Sequence, residues 1–141
     1  MHNLEIINGE ASMFYCGEKP WHGLGTELEK PATSKEAIEA AKLNWTVEKQ
    51  QLYLPNQEPA HNTFANVRTD SNNILGIVGS SYTPLQNAEA FEFFDSIVGE
   101  GKAIYHTAGA LLEGKVVWIL AKLPGEIKVT NEDITEKYLL L

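Results

Sequence analysis

The stretch from Trp45 to Val78 constrains the fold more than any other part of the chain. Three runs rich in β-branched and aromatic residues follow one another closely: Trp45 to Leu54, Thr63 to Thr69 and Ile74 to Val78. Pro55-Asn56-Gln57-Glu58-Pro59 breaks the first from the second, and Asp70-Ser71-Asn72-Asn73 the second from the third. Short polar side chains of this kind bond their own backbone and tolerate left-handed conformations, so both breaks are turns. Trp45-Thr46-Val47-Glu48 alternates apolar with polar, as a half-buried strand does. The stretch predicts a meander of three strands with tight connections.

Helix signatures bracket it. Thr33-Ser34-Lys35-Glu36 sets a threonine three residues ahead of a glutamate, the reciprocal capping box. Ala37, Ile38, Ala40 and Ala41 follow, which predicts a helix over 34–43 ending near Asn44. Asn87 caps a second helix over 88–98. There Ala90, Phe91, Phe94, Ile97 and Val98 share one face at helical spacing. Glu89, Glu92 and Asp95 mostly take the other face, and Gly99 offers a stop.

Further strands are expected at 102–109 and from Val116 to Ala121, with a turn around Leu112-Glu113-Gly114. The second of these is apolar on both faces and is expected near the centre of a sheet, stopped by Pro124-Gly125. Ile127 to Val129 and Glu136 to Leu141 add two more around Asn131-Glu132-Asp133. The fold class is α+β: an antiparallel sheet, the meander plus further hairpin strands, packed against two helices. Residues 1–32 show no clear period and are expected to form an irregular arm, with turns at Asn8-Gly9 and Cys16-Gly17 and a short extended piece at Met13-Phe14-Tyr15. Residues 33–141 form the α+β domain, truncated at its end, where Tyr138-Leu139-Leu140-Leu141 stops inside an apolar pattern.

Charge bears on partners. The chain carries 11 Lys and Arg against 19 Asp and Glu, a net charge of −8. Residues 1–60 hold 5 bases and 9 acids and residues 61–141 hold 6 and 10, so no basic half hides inside an acidic total. A duplex binder concentrates cationic residues on one face, and that footprint is missing. The single cysteine, Cys16, allows neither an internal disulfide nor a multi-cysteine zinc site. There is no signal-peptide pattern at the start and no apolar run near membrane-spanning length. A cytoplasmic protein with no membrane partner is expected.

The sequence carries no strong site for chemistry. Cys16 and His22 could form a nucleophile pair, but sequence proximity does not supply the geometry that thiol catalysis needs. The four histidines, 2, 22, 61 and 106, lack ligand-type spacing, so neither a metal nor a cofactor is expected. Pro20-Trp21-His22-Gly23-Leu24-Gly25 has two glycines but lacks the third glycine and preceding strand of a dinucleotide fingerprint. It reads as a corner, with Gly23 and Gly25 permitting the bend, Trp21 docked on the sheet and His22 orienting it. For a single-strand nucleic-acid surface, which stacks bases on aromatics beside cations, the candidates are Trp21, Arg68, Tyr82, Lys102 and Lys115. Trp118 reads as core.

Several of these segments resemble a known family. Met1-His2-Asn3-Leu4-Glu5, Met13-Phe14-Tyr15 and Pro20-Trp21-His22-Gly23-Leu24-Gly25-Thr26 are similar to the N-terminal portion of the phage/plasmid-like proteins of unknown function found on bacterial mobile elements. The likeness continues through Asn44-Trp45-Thr46-Val47, Gly76-Ile77-Val78-Gly79, Gln86-Asn87 and Ala90-Phe91, and ends at Tyr138-Leu139-Leu140-Leu141. The resemblance implies no catalytic residues and a further portion beyond the last of these segments. The order helix, three-stranded meander, helix is also similar in topology to single-strand annealing recombination proteins. The functional expectation is single-stranded DNA binding or annealing in recombination, by a homo-oligomer in a bacterial host. The alternative is a module that binds a host or phage protein and no nucleic acid, which accounts directly for the acidic surface.

Overall fold

The computed structural model describes residues 3–98, 104–128 and 134–141. Along the chain run β1 (Ile6–Ile7), β2 (Glu10–Ala11), β3 (Met13–Cys16), β4 (Thr26–Leu28), α1 (Ser34–Ala40), β5 (Val47–Tyr53), β6 (Pro59–Arg68) and β7 (Ile74–Val78). Then come α2 (Asn87–Val98), β8 (Tyr105–Leu111), a 3-10 turn at Leu112–Gly114, β9 (Val116–Lys128) and β10 (Ile134–Leu140). Among the described residues no helix is long and apolar enough to cross a membrane.

Mixed strands and two helices make this an α+β fold, and the meander forms as the turn chemistry predicts, with order β5-β6-β7 and both pairs antiparallel. It does not share a sheet with the later strands. Those belong to a separate five-stranded sheet, β10-β9-β8-β3-β4. Residues 1–32 are therefore no irregular arm. Their β3 lies inside the larger sheet, antiparallel to β8 and parallel to β4, which makes that sheet mixed. The short extended piece expected at Met13-Phe14-Tyr15 is this strand; all three residues are buried, and so short a run shows no alternation from which its place in a sheet could be read.

The strand ends also differ from expectation. β6 begins at Pro59 rather than Thr63; Pro59 pairs with Tyr53 at the end of the central strand, beyond the stretch from Phe64 to Val67 that pairs with β7. Pro124-Gly125 does not end β9. Lys122 faces Tyr138 and Glu126 faces Glu136, so the dipeptide sits in a bulge where three residues oppose one. Gly99, Lys102, Val129 and the turn at 131–133 lie outside the described residues.

Both helices pack on the larger sheet. The capping box of α1 forms, with Glu36 N donating to Thr33 Oγ1 at 3.3 Å and Thr33 N to the Glu36 carboxylate at 3.5 Å. Ala32, Ala37, Ala41, Ala108 and Ala110 are fully buried, and their small side chains let the helix and sheet backbones approach closely. Phe91 and Phe94 of α2 meet Tyr105 of β8 edge to face, at 5.0 and 6.4 Å between ring centres. The Tyr105 hydroxyl donates its hydrogen between Phe91 O (2.9 Å) and Asp95 Oδ1 (2.8 Å). Ile97, expected on the buried face, is exposed, as is Phe93. Asn87 is the first helical residue of α2. Its side chain ties the helix start to Leu43 O at 3.0 Å instead of capping its own helix. Trp118, expected in the core, is only half-buried; its ring lies against its cross-strand neighbour Gly109, whose missing side chain leaves room for it.

Candidate functional site

Between Cys16 and Thr26 the chain must turn twice so that β4 can run parallel to β3. Parallel neighbours usually need a longer crossover. The corner supplies the first reversal as a turn closed by Gly23 N donating to Pro20 O at 2.9 Å. Trp21 and His22 are its central residues. Leu24 N donates to His22 Nδ1 at 3.1 Å, which leaves the ring proton of the neutral imidazole on Nε2. Gly25 makes the second bend at φ +107°, and a Cβ there would press on Met13 Cγ and Met13 O, both at 3.1 Å. Gly23 also has positive φ, but only the flexible Lys19 side chain lies nearby. Trp21 is not docked on the sheet. It is 87% exposed, with its ring edge-on to His22 at 5.4 Å.

Arg68 has the opposite fate. At the end of β6 it is 1% exposed and cannot present its charge to a phosphate. It pairs with Glu5 inside the molecule and with Asp70 through Nη2 at 2.7 Å, and Nη1 donates to Glu113 O at 3.0 Å. Its guanidinium lies 4.1 Å from the centre of the Trp45 ring. Gly114 makes room, since a Cβ there would stand 2.8 Å from Arg68 Nη1. The hydrogen bond from Arg68 holds the Asp70 carboxyl below its ordinary pKa. Arginine is thus a structural clamp joining residue 5, the meander and the β8–β9 turn.

A groove of about 420 Å3 lies between the meander, the start of α2 and β9. Val78, Leu85, Val117 and Ile119 contribute apolar wall, Tyr82 and Lys115 line it too, and both of these are exposed. Lys49 holds the β7–α2 loop in place, donating to Ser80 O (2.7 Å) and Tyr82 O (2.9 Å) over the Phe64 ring. Gln86 fastens the other side. Its Oε1 accepts from Val47 N and its Nε2 donates to Val47 O, each at 2.8 Å, as a neighbouring strand would. The Asn66 Oδ1 is buried without a hydrogen-bond partner.

The outer edge of β7 is open: among the described residues β7 pairs only with β6. Its five residues, Ile-Leu-Gly-Ile-Val, carry no charge, and Ile74 and Ile77 are 53% and 60% exposed. Sequence inspection missed this edge, because an apolar strand reads as interior until its neighbours are known.

The five nucleic-acid candidates do not converge on one surface. Tyr82 and Lys115 share the groove, Trp21 stands on the corner, Arg68 is buried and Lys102 lies outside the described residues. Burial raises the pKa of the Cys16 thiol, away from the thiolate that a nucleophile requires. Among the described residues no cluster of histidine, cysteine and carboxylates could hold a metal. A family model described as a domain of unknown function (DUF932) matches residues 74–141, from β7 to the end of β10 and one residue beyond. No curated protein and no solved structure matches the chain.

Proposed function

We propose that this domain of unknown function is a protein-interaction module, and that its partner adds an extended strand to the free edge of β7. The carrying observation is that edge. Exposed sheet edges template pairing with other chains and are normally blunted by charge, proline or a bulge. Here the one such device is the bulge at Leu75, which Val67 and Asn66 leave unpaired between Ile74 and Gly76. Strand addition takes affinity from main-chain hydrogen bonds and specificity from alternate side chains. Ile74 and Ile77 offer the apolar contacts, and the net charge of −8 steers basic partners inward.

The test pairs wild type with Ile74→Lys/Ile77→Lys, both on the strand edge. Light scattering asks whether the partner is a second copy. A crosslinking screen in a bacterial host, with the captured protein identified and its binding remeasured in purified form, asks whether it is another chain. Loss of the association in the double variant, with unchanged circular dichroism, is expected. Association that survives both substitutions removes β7 from the reading.

One observation favours a second reading, single-stranded DNA contact in recombination: Trp21 presents nearly its whole side chain to solvent on a hydrogen-bonded turn. Fluorescence anisotropy of a labelled single-stranded oligonucleotide at two salt concentrations decides it. Salt-sensitive binding that falls in Trp21→Ala supports stacking. No binding at low salt leaves the interaction module alone.

A further inference from the structure

We infer that the strand added to β7 is the β7 of a second copy of this chain, paired antiparallel across a two-fold axis, an inference that rests on the strand-addition reading.

The bulge settles what the edge presents. Across β6 and β7, Val67 faces Ile74 and Ala65 faces Ile77. Val67 and Ala65 stand two apart on β6 and so point to one face. The extra residue at Leu75 therefore carries Ile74 and Ile77, three apart in sequence, onto that same face. It lies opposite the groove, whose wall takes Asn66, Gly76 and Val78. On β5 the residues in line with Val67 and Ala65 are Glu48 and Gln50, both exposed. The face thus grades from polar at β5 to apolar at β7, where both isoleucines are exposed beside the open edge. A partner that covers them must continue the sheet past that edge.

Charge selects the partner. Four strands form the edges of the two larger sheets. β4 carries Glu27, β5 carries Glu48 and Lys49, and β10 carries Glu136 and Lys137, whereas β7 carries no charge. From Ser71 to Ala88 the chain has no charged residue at all. A basic strand finds no carboxylate along that run, while a neutral apolar strand finds its like, and β7 is such a strand. Setting Ile74 opposite Ile77 of the second copy makes the same contact twice and joins four isoleucines on one face. Cross-strand apolar pairs stabilise a sheet, and a patch that complements itself closes a two-fold dimer. In that register Asp70 comes beside Ser81, so no like charges stand opposite each other. A parallel pair related by a two-fold axis would instead turn the two outer faces to opposite sides and separate the isoleucines.

Sedimentation velocity of the purified chain should show monomer and dimer in an equilibrium of about micromolar strength, because five residues a side make a small interface. Added salt should tighten the dimer, since two chains of net charge −8 repel at a distance and meet without charge at the edge. Ile74→Lys/Ile77→Lys sets like charges opposite each other and should leave monomer alone, with unchanged circular dichroism. Ile74→Lys/Ile77→Glu sets opposite charges against each other at both contacts, and should dimerise about tenfold more tightly than the double-lysine variant. Equal weakening in the two variants would overturn the two-fold register. A chain that stays monomeric at every concentration and salt would overturn the second copy, and strand addition would then stand on a captured protein that the double-lysine variant releases. A dimer that persists in the double-lysine variant would overturn both.

Discussion

At the scale of single residues, the fate of Arg68 shows what sequence inspection cannot see. A lone arginine at the end of a strand reads as surface charge, because the typical arginine is exposed. What buries this one is Glu5, 63 residues earlier, together with a glycine at 114 that clears space for the guanidinium. Removing the cation leaves the Glu5 carboxylate buried and uncompensated. Arg68→Ala should therefore cost about 3–5 kcal/mol in urea unfolding, far more than loss of an exposed charge would. Gly109 was equally silent in the sequence. A Cβ there would sit 2.2 Å from Trp118 Cη2 and 2.7 Å from the Ser12 carbonyl oxygen, which is backbone and cannot give way. Gly109→Ala should lower stability by about 1–3 kcal/mol, read as a shift in the urea midpoint at constant slope. The corner glycines divide in the same terms: Gly25 is held by both its φ and its neighbours, Gly23 by its φ alone.

Elements were more legible than contacts. The capping box announced α1, and both of its reciprocal bonds are present. Thr33→Ala should destabilise the domain by about 1 kcal/mol, checked by thermal melting, with Thr33→Ser close to wild type. The meander was legible because polar turn residues and alternation agreed along one continuous stretch. β3 was legible only as a short extended piece and not as a sheet member, since its three buried residues carry no period and one of its partners is β8, far along the chain. Sheet membership is in general a long-range property, so the split of the strands into separate sheets left no local trace. The exposure of Ile97 follows from the same limit. Helical spacing fixes which residues share a face, while tertiary packing fixes how much of that face is covered.

Across the whole molecule, Tyr105 links the layers. It is fully buried on β8, touches both phenylalanines of α2 and gives its hydroxyl hydrogen to that helix. Burial, then the neighbouring Asp95, raises the phenol far above its ordinary value of 10.0. A group whose folded pKa is raised contributes stability in full below the unfolded pKa, and that contribution is lost as pH rises through the folded one. Wild type should therefore lose stability steadily above about pH 10. Tyr105→Phe should start lower at neutral pH, having lost its hydrogen bonds, and fall less steeply in the alkaline range. Comparing the two proteins at each pH cancels the lysines that titrate in the same window.

The strand order β10-β9-β8-β3-β4 also carries a consequence in time. β3 leaves the ribosome early, yet its antiparallel neighbour β8 begins at Tyr105, so Met13 waits for Gly109. The meander closes over short loops and can form while synthesis continues. The larger sheet cannot, because its inner pairing joins Met13 to Gly109, with both helices and the whole meander between them. Closing such a loop costs entropy before any contact repays it, and folds dominated by distant pairings assemble slowly. During that interval Phe14 and Tyr15 have no sheet to enter. The domain should be most vulnerable to proteases and to its own neighbours before β8 arrives.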